Sequence, residues 1–294
     1  MAETRSVVIT GASRGLGLAS AARLYKQGWR VVGAMRSPDT GLDRIRELTG
    51  AAPDDPRLIG VRLDLTDPES VKQAGEAIVD ALGAPYAVVH NAGVSSLGFV
   101  EETPDDAWTN VFATNLFGPV SLTKALLPSM RAAGQGRIVV VSSQGAIWGM
   151  PSAAAYSAAK AALERWAEAQ AGEVSPFGIG VTVLVAGMFD TDIVDDRAPG
   201  YPDYRDWDGI FAQQHRPHDV RGHKALRLAR NPDKFGQALA KALDRDTAPF
   251  VRHPVGLDAR MMMVSGRLMP SRLFHQVTRL VLGQPRHGAL RSSR

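Results

Sequence analysis

The sequence predicts an α/β fold in three layers, a doubly wound parallel sheet with helices packed on both faces. Three observations carry this expectation. Short β-branched runs alternate with helical stretches, several of those runs are apolar on both faces, and a glycine-rich turn joins the first run to the first helix.

In chain order, the first strand is expected at Ser6–Thr10, followed by a helix from about Gly15 to Gln27. Further strands are expected at Arg30–Met35, Arg57–Leu63, Tyr86–His90, Arg137–Ser142 and Ile179–Val185. Runs such as Ile138-Val139-Val140-Val141 have no polar face, which suits a parallel sheet covered on both sides rather than a half-solvated antiparallel one. Long helices are expected at Asn110–Ala133 and Ala155–Val174. No linker or internal repeat interrupts residues 1–188, so this span belongs to one domain. Beyond Thr191 the pattern weakens, and Asp195–Asp203, dense in turn formers, suggests a mobile loop. Asn231-Pro232 then supplies an N-cap and an N1 proline for a helix to about Asp244. Pro249–Val251 would be a last strand, and residues 256–282 one or two helices on the same sheet. The expected division is a core over 1–191, a substrate loop and C-terminal helical extension over 192–285, and a tail without fixed structure over 286–294.

Composition narrows the function classes. The hydrophobic share is 45%, and no run approaches the roughly 18 consecutive apolar residues of a membrane span. Met1–Arg5 leads almost directly into the first strand, leaving no room for a secretion signal, so a cytoplasmic location is expected. There is no cysteine, which excludes disulfides and thiolate metal sites, and no metal centre is expected. The net charge is +4, concentrated late: from Arg260 onward there are seven arginines and no acid, interleaved with Met261, Leu268, Leu273 and Leu280. Such a segment suits a weak peripheral contact with an anionic membrane, or nucleic acid. The simpler reading is a solvated helix face with a basic tail, and no nucleic-acid partner is expected.

Chemistry begins directly after the first strand, at Thr10-Gly11-Ala12-Ser13-Arg14-Gly15-Leu16-Gly17. Glycines there let backbone N–H groups approach a pyrophosphate at a helix N-terminus, where the helix dipole favours negative charge. Tyr156 and Lys160 lie four apart in an alanine-rich helical stretch, so both side chains project from one face. A free tyrosine titrates near about 10, but a neighbouring ammonium stabilises tyrosinate and lowers that value. Taken alone, a Tyr-x-x-x-Lys pair more often marks an amphipathic helix than a catalyst, and a glycine turn is a weak signal without its setting.

Their order in the chain changes the weight. The loop resembles the TGxxxGxG motif of the short-chain dehydrogenase/reductase family. Asn91-Ala92-Gly93 resembles that family's NAG motif, Asn115 falls where its helix-borne Asn is expected, and Ser143 with Tyr156–Lys160 resembles its Ser and YxxxK. The resemblance covers residues 5–191 well and the remainder loosely. It implies a Rossmann-like fold and an oxidoreductase moving a hydride between nicotinamide and a carbonyl or alcohol carbon. It further implies that Tyr156 is the general acid/base, that Lys160 lowers its pKa and binds the nicotinamide ribose, that Ser143 positions the substrate oxygen, and that Asn115 supports a proton relay. Asp64, with Leu65, resembles the residue that contacts adenine, and Gly187 and Thr191 fall at the nicotinamide end. The family commonly pairs its long helices about a two-fold axis, so a homodimer is expected, with a homotetramer as the larger form.

Cofactor choice rests on charge. The second strand ends Gly33-Ala34-Met35-Arg36, with no acid to accept from an adenosine ribose 2′-OH. Arg36 and Arg14 instead offer guanidinium groups suited to a 2′-phosphate, so NADP(H) is expected. One departure stands out: where the family usually has Pro-Gly after the sixth strand, this chain has Ala186-Gly187. Trp148 and Met188, with the aromatic stretch Tyr201–Phe211, suggest an apolar substrate pocket, in line with a lipophilic ketone, aldehyde or alcohol. The rival reading is a catalytically silent NADP(H) sensor or scaffold of the same fold.

Overall fold

The computed structural model describes residues 5–193, 201–244 and 249–290. Seven strands are formed by Ser6–Thr10 (β1), Arg30–Met35 (β2), Leu58–Arg62 (β3), Ala87–His90 (β4), Gly136–Ser143 (β5), Ile179–Ala186 (β6) and Phe250–Val255 (β7). All pair in parallel, in the order β3-β2-β1-β4-β5-β6-β7. Alternation along each strand sends side chains to two separate cores. Val7 and Ile9 pack on one face with Leu24, Ile45, Phe235 and Leu239, whereas Val8 packs on the other with Ile78, Leu122, Leu126 and Leu163. The first face is covered by Gly15–Lys26 (α1), Pro38–Thr49 (α2) and Asp233–Leu243 (α8). The second is covered by Pro68–Leu82 (α3), Gly118–Ala133 (α5) and Ala154–Val174 (α6). With both faces buried, every strand can be continuously apolar, as the sequence pattern required.

From β1 the chain winds outward through β2 and β3, then crosses back so that β4 lies on the other side of β1. This reversal opens a crevice beyond the carboxyl ends of β1 and β4, where doubly wound sheets bind their ligands.

Several boundaries move. The helix expected at Asn110–Ala133 begins five residues earlier, as Asp105–Phe112 (α4), and reaches α5 through a π-helical turn at Ala113–Phe117. The last strand is longer than expected, because β7 pairs with β6 from Phe250 to Val255. The helix Ala212–Leu226 (α7) was not legible in the sequence. It is strongly polar, carries Pro217 internally and buries only His215, so no apolar period announces it. The loop expected at Asp195–Asp203 lies outside the described residues as far as Gly200. From Tyr201 onward it is fastened rather than loose. Leu97 N donates to Pro202 O at 2.8 Å, Tyr204 N donates to Leu97 O at 2.7 Å, and Arg205 is paired with Asp203 at 2.6 Å and with Asp219 at 2.9 Å. The C-terminal segment folds as Leu257–Leu268 (α9) and Ser271–Leu282 (α10). Residues 286–290, expected to be a structureless tail, make a turn in which Ala289 N donates to Arg286 O at 3.0 Å; residues 291–294 lie outside the described residues.

Candidate active site

The glycine turn works by excluding side chains. Gly11 has φ +68°, and a Cβ there would meet Ala92 Cα at 2.9 Å; Gly15 has φ +54°. A methyl group on Gly17 would overlap both the Gly11 carbonyl and the Asn91 amide, so α1 can start this close to β4 only with glycine there. Two side chains fasten the crossing. Thr10 Oγ1 accepts from Asn91 N at 3.1 Å and Ala92 N at 3.0 Å, and Asn91 Nδ2 donates to Thr10 O at 2.9 Å.

These contacts shape a cleft of about 300 Å³. Gly11, Ser13, Arg14, Gly15 and Leu16 line one wall, and Arg36, Asp64 and Leu65 line the far end. Asn91, Ala92, Gly93, Gly187 and Thr191 follow toward Ser143, Tyr156 and Lys160. Gly17 and Asn115 stand behind this lining rather than in it, Trp148 lines a different cavity, and Met188 is half-buried beside Gly187. A dinucleotide fits what is present: an open N-terminus on α1, a turn that any Cβ would fill, and the Arg14 and Arg36 guanidiniums on the lining. Arg14 and Arg36 are exposed, and Arg14 pairs with Asp192 at 3.2 Å. Asp64 accepts from Thr66 N at 3.0 Å and Thr66 Oγ1 at 2.7 Å, contacts that hold its carboxyl below the ordinary range.

At the opposite end, Lys160 is 3% exposed and donates from Nζ to Val141 O at 2.9 Å. Burial pulls its ammonium down from 10.5 to about 8, opposed by the charge of Glu164 one turn further along α6. Tyr156 differs from the expectation. Burial pushes its phenol up to about 12, opposed by a hydrogen bond with Ser143, and Lys160, 5.8 Å from the ring centroid, does not reverse this. The lowering expected from Lys160 is therefore absent in the protein alone, because its ammonium is turned to the Val141 carbonyl.

Asn115, fully buried in the π-helical turn, accepts from Val94 N through Oδ1 and donates to Val94 O through Nδ2, both at 2.9 Å. These two bonds hold Gly93 and Val94 in place, and each amide atom keeps a second hydrogen-bonding position.

Two further carboxylates, Glu164 and Asp258, shape the site without having been singled out in the sequence. Glu164 is buried, accepts from Ser142 Oγ at 2.6 Å and pairs with Arg252 of β7 at 2.5 Å. The repeat Tyr156, Lys160, Glu164 at intervals of four was a usable signal for it. Asp258 on α9 accepts from Met188 N at 2.6 Å and pairs with Arg230 at 2.6 Å. No local pattern points from Asp258 to a turn some seventy residues earlier. This carboxylate holds the Gly187–Met188 turn that proline would otherwise have stiffened, and Gly187 is needed because a Cβ there would overlap Asp258.

A parallel α/β sheet with a glycine turn at its switch point and a Tyr–Lys pair beyond it defines a dinucleotide-binding oxidoreductase architecture. The family model "short chain dehydrogenase" matches residues 5–201, and the chain belongs to that family of oxidoreductases. It is 34% identical over 250 residues to a 3-ketodihydrosphingosine reductase of Bacteroides thetaiotaomicron, covering 83% of this chain and 85% of that protein. It is 31% identical over 274 residues to the uncharacterized oxidoreductase YbbO of Escherichia coli K12, covering 93% of each. A crystal structure of a short-chain dehydrogenase from Streptomyces avermitilis superposes with a TM-score of 0.78 at 32% identity, covering 95% of this chain and 96% of that one.

The buried ammonium has a measurable cost. Its charged form is disfavoured below about pH 8, and that penalty is relieved as pH rises from about 8 toward 10.5. Lys160→Met removes the charge and keeps the length. It should stabilise the protein near pH 7 by about 1–2 kcal/mol, the lost penalty being offset in part by the orphaned Val141 carbonyl. Denaturant melts from pH 7 to 10 should show this advantage shrinking; a pH-independent difference contradicts it.

Proposed function

We propose that this protein is an NADP(H)-dependent oxidoreductase that interconverts a ketone or aldehyde and an alcohol on a lipophilic small molecule. One observation carries the reading: Ser143, Tyr156 and Lys160 line the same cleft as the glycine turn, at its opposite end.

When bound, nicotinamide supplies the hydride in reduction and accepts it in oxidation. Ser143 donates to the substrate oxygen and aligns it with Tyr156. Tyr156 protonates that oxygen, and a phenol whose pKa lies above 10 is fully protonated at neutral pH and available to do so. Lys160 lies on the same face of α6; its ammonium would offer a donor to the ribose and, once turned away from the Val141 carbonyl, stabilise the tyrosinate left behind. Arg36 and Arg14 would hold the 2′-phosphate, with Asp64 at the adenine. The similarity to a 3-ketodihydrosphingosine reductase supports a lipophilic ketone as substrate. We place the protein in the cytoplasm, acting as a dimer.

Three tests follow from these roles. Tyr156→Phe keeps the ring and deletes the hydroxyl, so NADPH affinity should hold while turnover falls by roughly 10²–10⁴-fold. Retention of more than about a tenth of wild-type turnover under chemistry-limited conditions removes Tyr156 as proton donor. NADPH should bind at least about tenfold more tightly than NADH, and Arg36→Asp should narrow or invert that ratio; an unchanged ratio places Arg36 outside the site. Sedimentation at micromolar concentration should give a dimer paired through α5 and α6, and a monomer contradicts it.

A further inference from the structure

Helices α9 and α10 turn large apolar side chains toward water along regular lines. On α9, Leu257, Met261, Val264 and Leu268 fall at i, i+4, i+7 and i+11, one stripe down the helix, and are 66%, 61%, 50% and 75% exposed. On α10, Leu273, Val277, Leu280 and Val281 form a second stripe, 39–65% exposed, while Phe274, Thr278 and Leu282 face inward. Soluble monomers seldom leave contiguous apolar surface of this kind without a use for it.

Charge selects what covers it. Arg260 and Arg267 lie along one flank of the α9 stripe and Arg272 beside that of α10, all exposed and without a carboxylate partner among the described residues. No acid occurs from residue 259 onward. A two-fold contact between copies through these helices would bring one arginine-rich surface against the same surface, with no carboxylate in the segment to answer it. Nucleic acid would answer the charge and leave the aliphatic stripes wet. A sheet of anionic headgroups over hydrocarbon answers both. Each helix has 12 residues, about 18 Å long and too short for a hydrocarbon core of about 30 Å, and no helix among the described residues is long and apolar enough to cross a membrane. They would lie in the plane of the interface.

We infer that α9 and α10 form a docking surface for an anionic lipid bilayer, with both apolar stripes sunk into the headgroup boundary and the arginines on the lipid phosphates. The cavity of about 510 Å³ lies on the inner side of α10, between Thr278 and Leu282 on one wall and Trp148 and Phe99 on the other, so docking brings it to the bilayer. The indole N–H of Trp148 is buried with no partner among the described residues.

The test is co-sedimentation of the full-length protein with phosphatidylcholine vesicles, with and without phosphatidylglycerol. Binding to the anionic vesicles is expected to be at least about tenfold tighter than to neutral ones and to weaken with salt. The triple variant R260Q/R267Q/R272Q should lose most of that preference, and Leu273→Gln with Leu280→Gln should lose binding to both. All five positions are exposed, and the lipid and salt dependence of the wild type decides the matter even if a variant misfolds. Absence of pelleting, or equal pelleting with neutral vesicles, overturns the proposal. So does loss of self-association when the stripes are replaced, which would assign the surface to a second copy.

Discussion

A parallel sheet that hydrogen-bonds strand to strand and buries both faces leaves chemistry one place to happen, the edge where its carboxyl ends meet solvent. Everything functional in this protein descends from that constraint. The winding reverses between β1 and β4, and there the connections that leave these two paired strands go to opposite faces of the sheet, opening a crevice. Thr10 and Asn91 tie the strands below the gap, the glycines keep side chains out of it, and α6 delivers its Tyr–Lys face from across β5. The C-terminal segment obeys the same rule, since β7 adds to the sheet next to β6 and α8 closes the face beneath α1.

The electrostatics around Tyr156 and Lys160 are set by burial. Lys160 carries a charge at a depth where burial opposes it, relieved by one carbonyl and the Glu164 carboxylate. Tyr156 is driven in the opposite sense, toward the neutral phenol. Both shifts push the two groups toward neutrality, as desolvation does to any buried acid or base.

How legible this was in the sequence depended on range. Strand and helix positions in the core followed from period and from apolar runs such as Ile138–Val141, and the glycine turn and Tyr156–Lys160 were visible because their members are neighbours in the chain. What stayed hidden joins residues far apart. The Asp258–Met188 contact, the Glu164–Arg252 pair and the Arg205 pairs with Asp203 and Asp219 exist only once the chain has folded. Helix α7 was invisible for another reason, because polar fastening through His215 and Glu102, 2.7 Å apart, replaces the apolar stripe that periodicity detects. The sign of the Tyr156 shift also needed depth, which spacing alone does not contain.

The Asp258 carboxylate has a consequence for how much of the chain the reaction needs. The region matched to the family ends at residue 201, and every side chain assigned to acid–base chemistry lies before it. Yet the turn at Gly187–Met188, beside the cofactor cleft, is latched by an aspartate in the first turn of α9, itself braced by Arg230. A protein shortened to the common region would keep Ser143, Tyr156 and Lys160 and have no latch. The C-terminal third thereby holds in place a turn that borders the cleft, and removing it would remove that support.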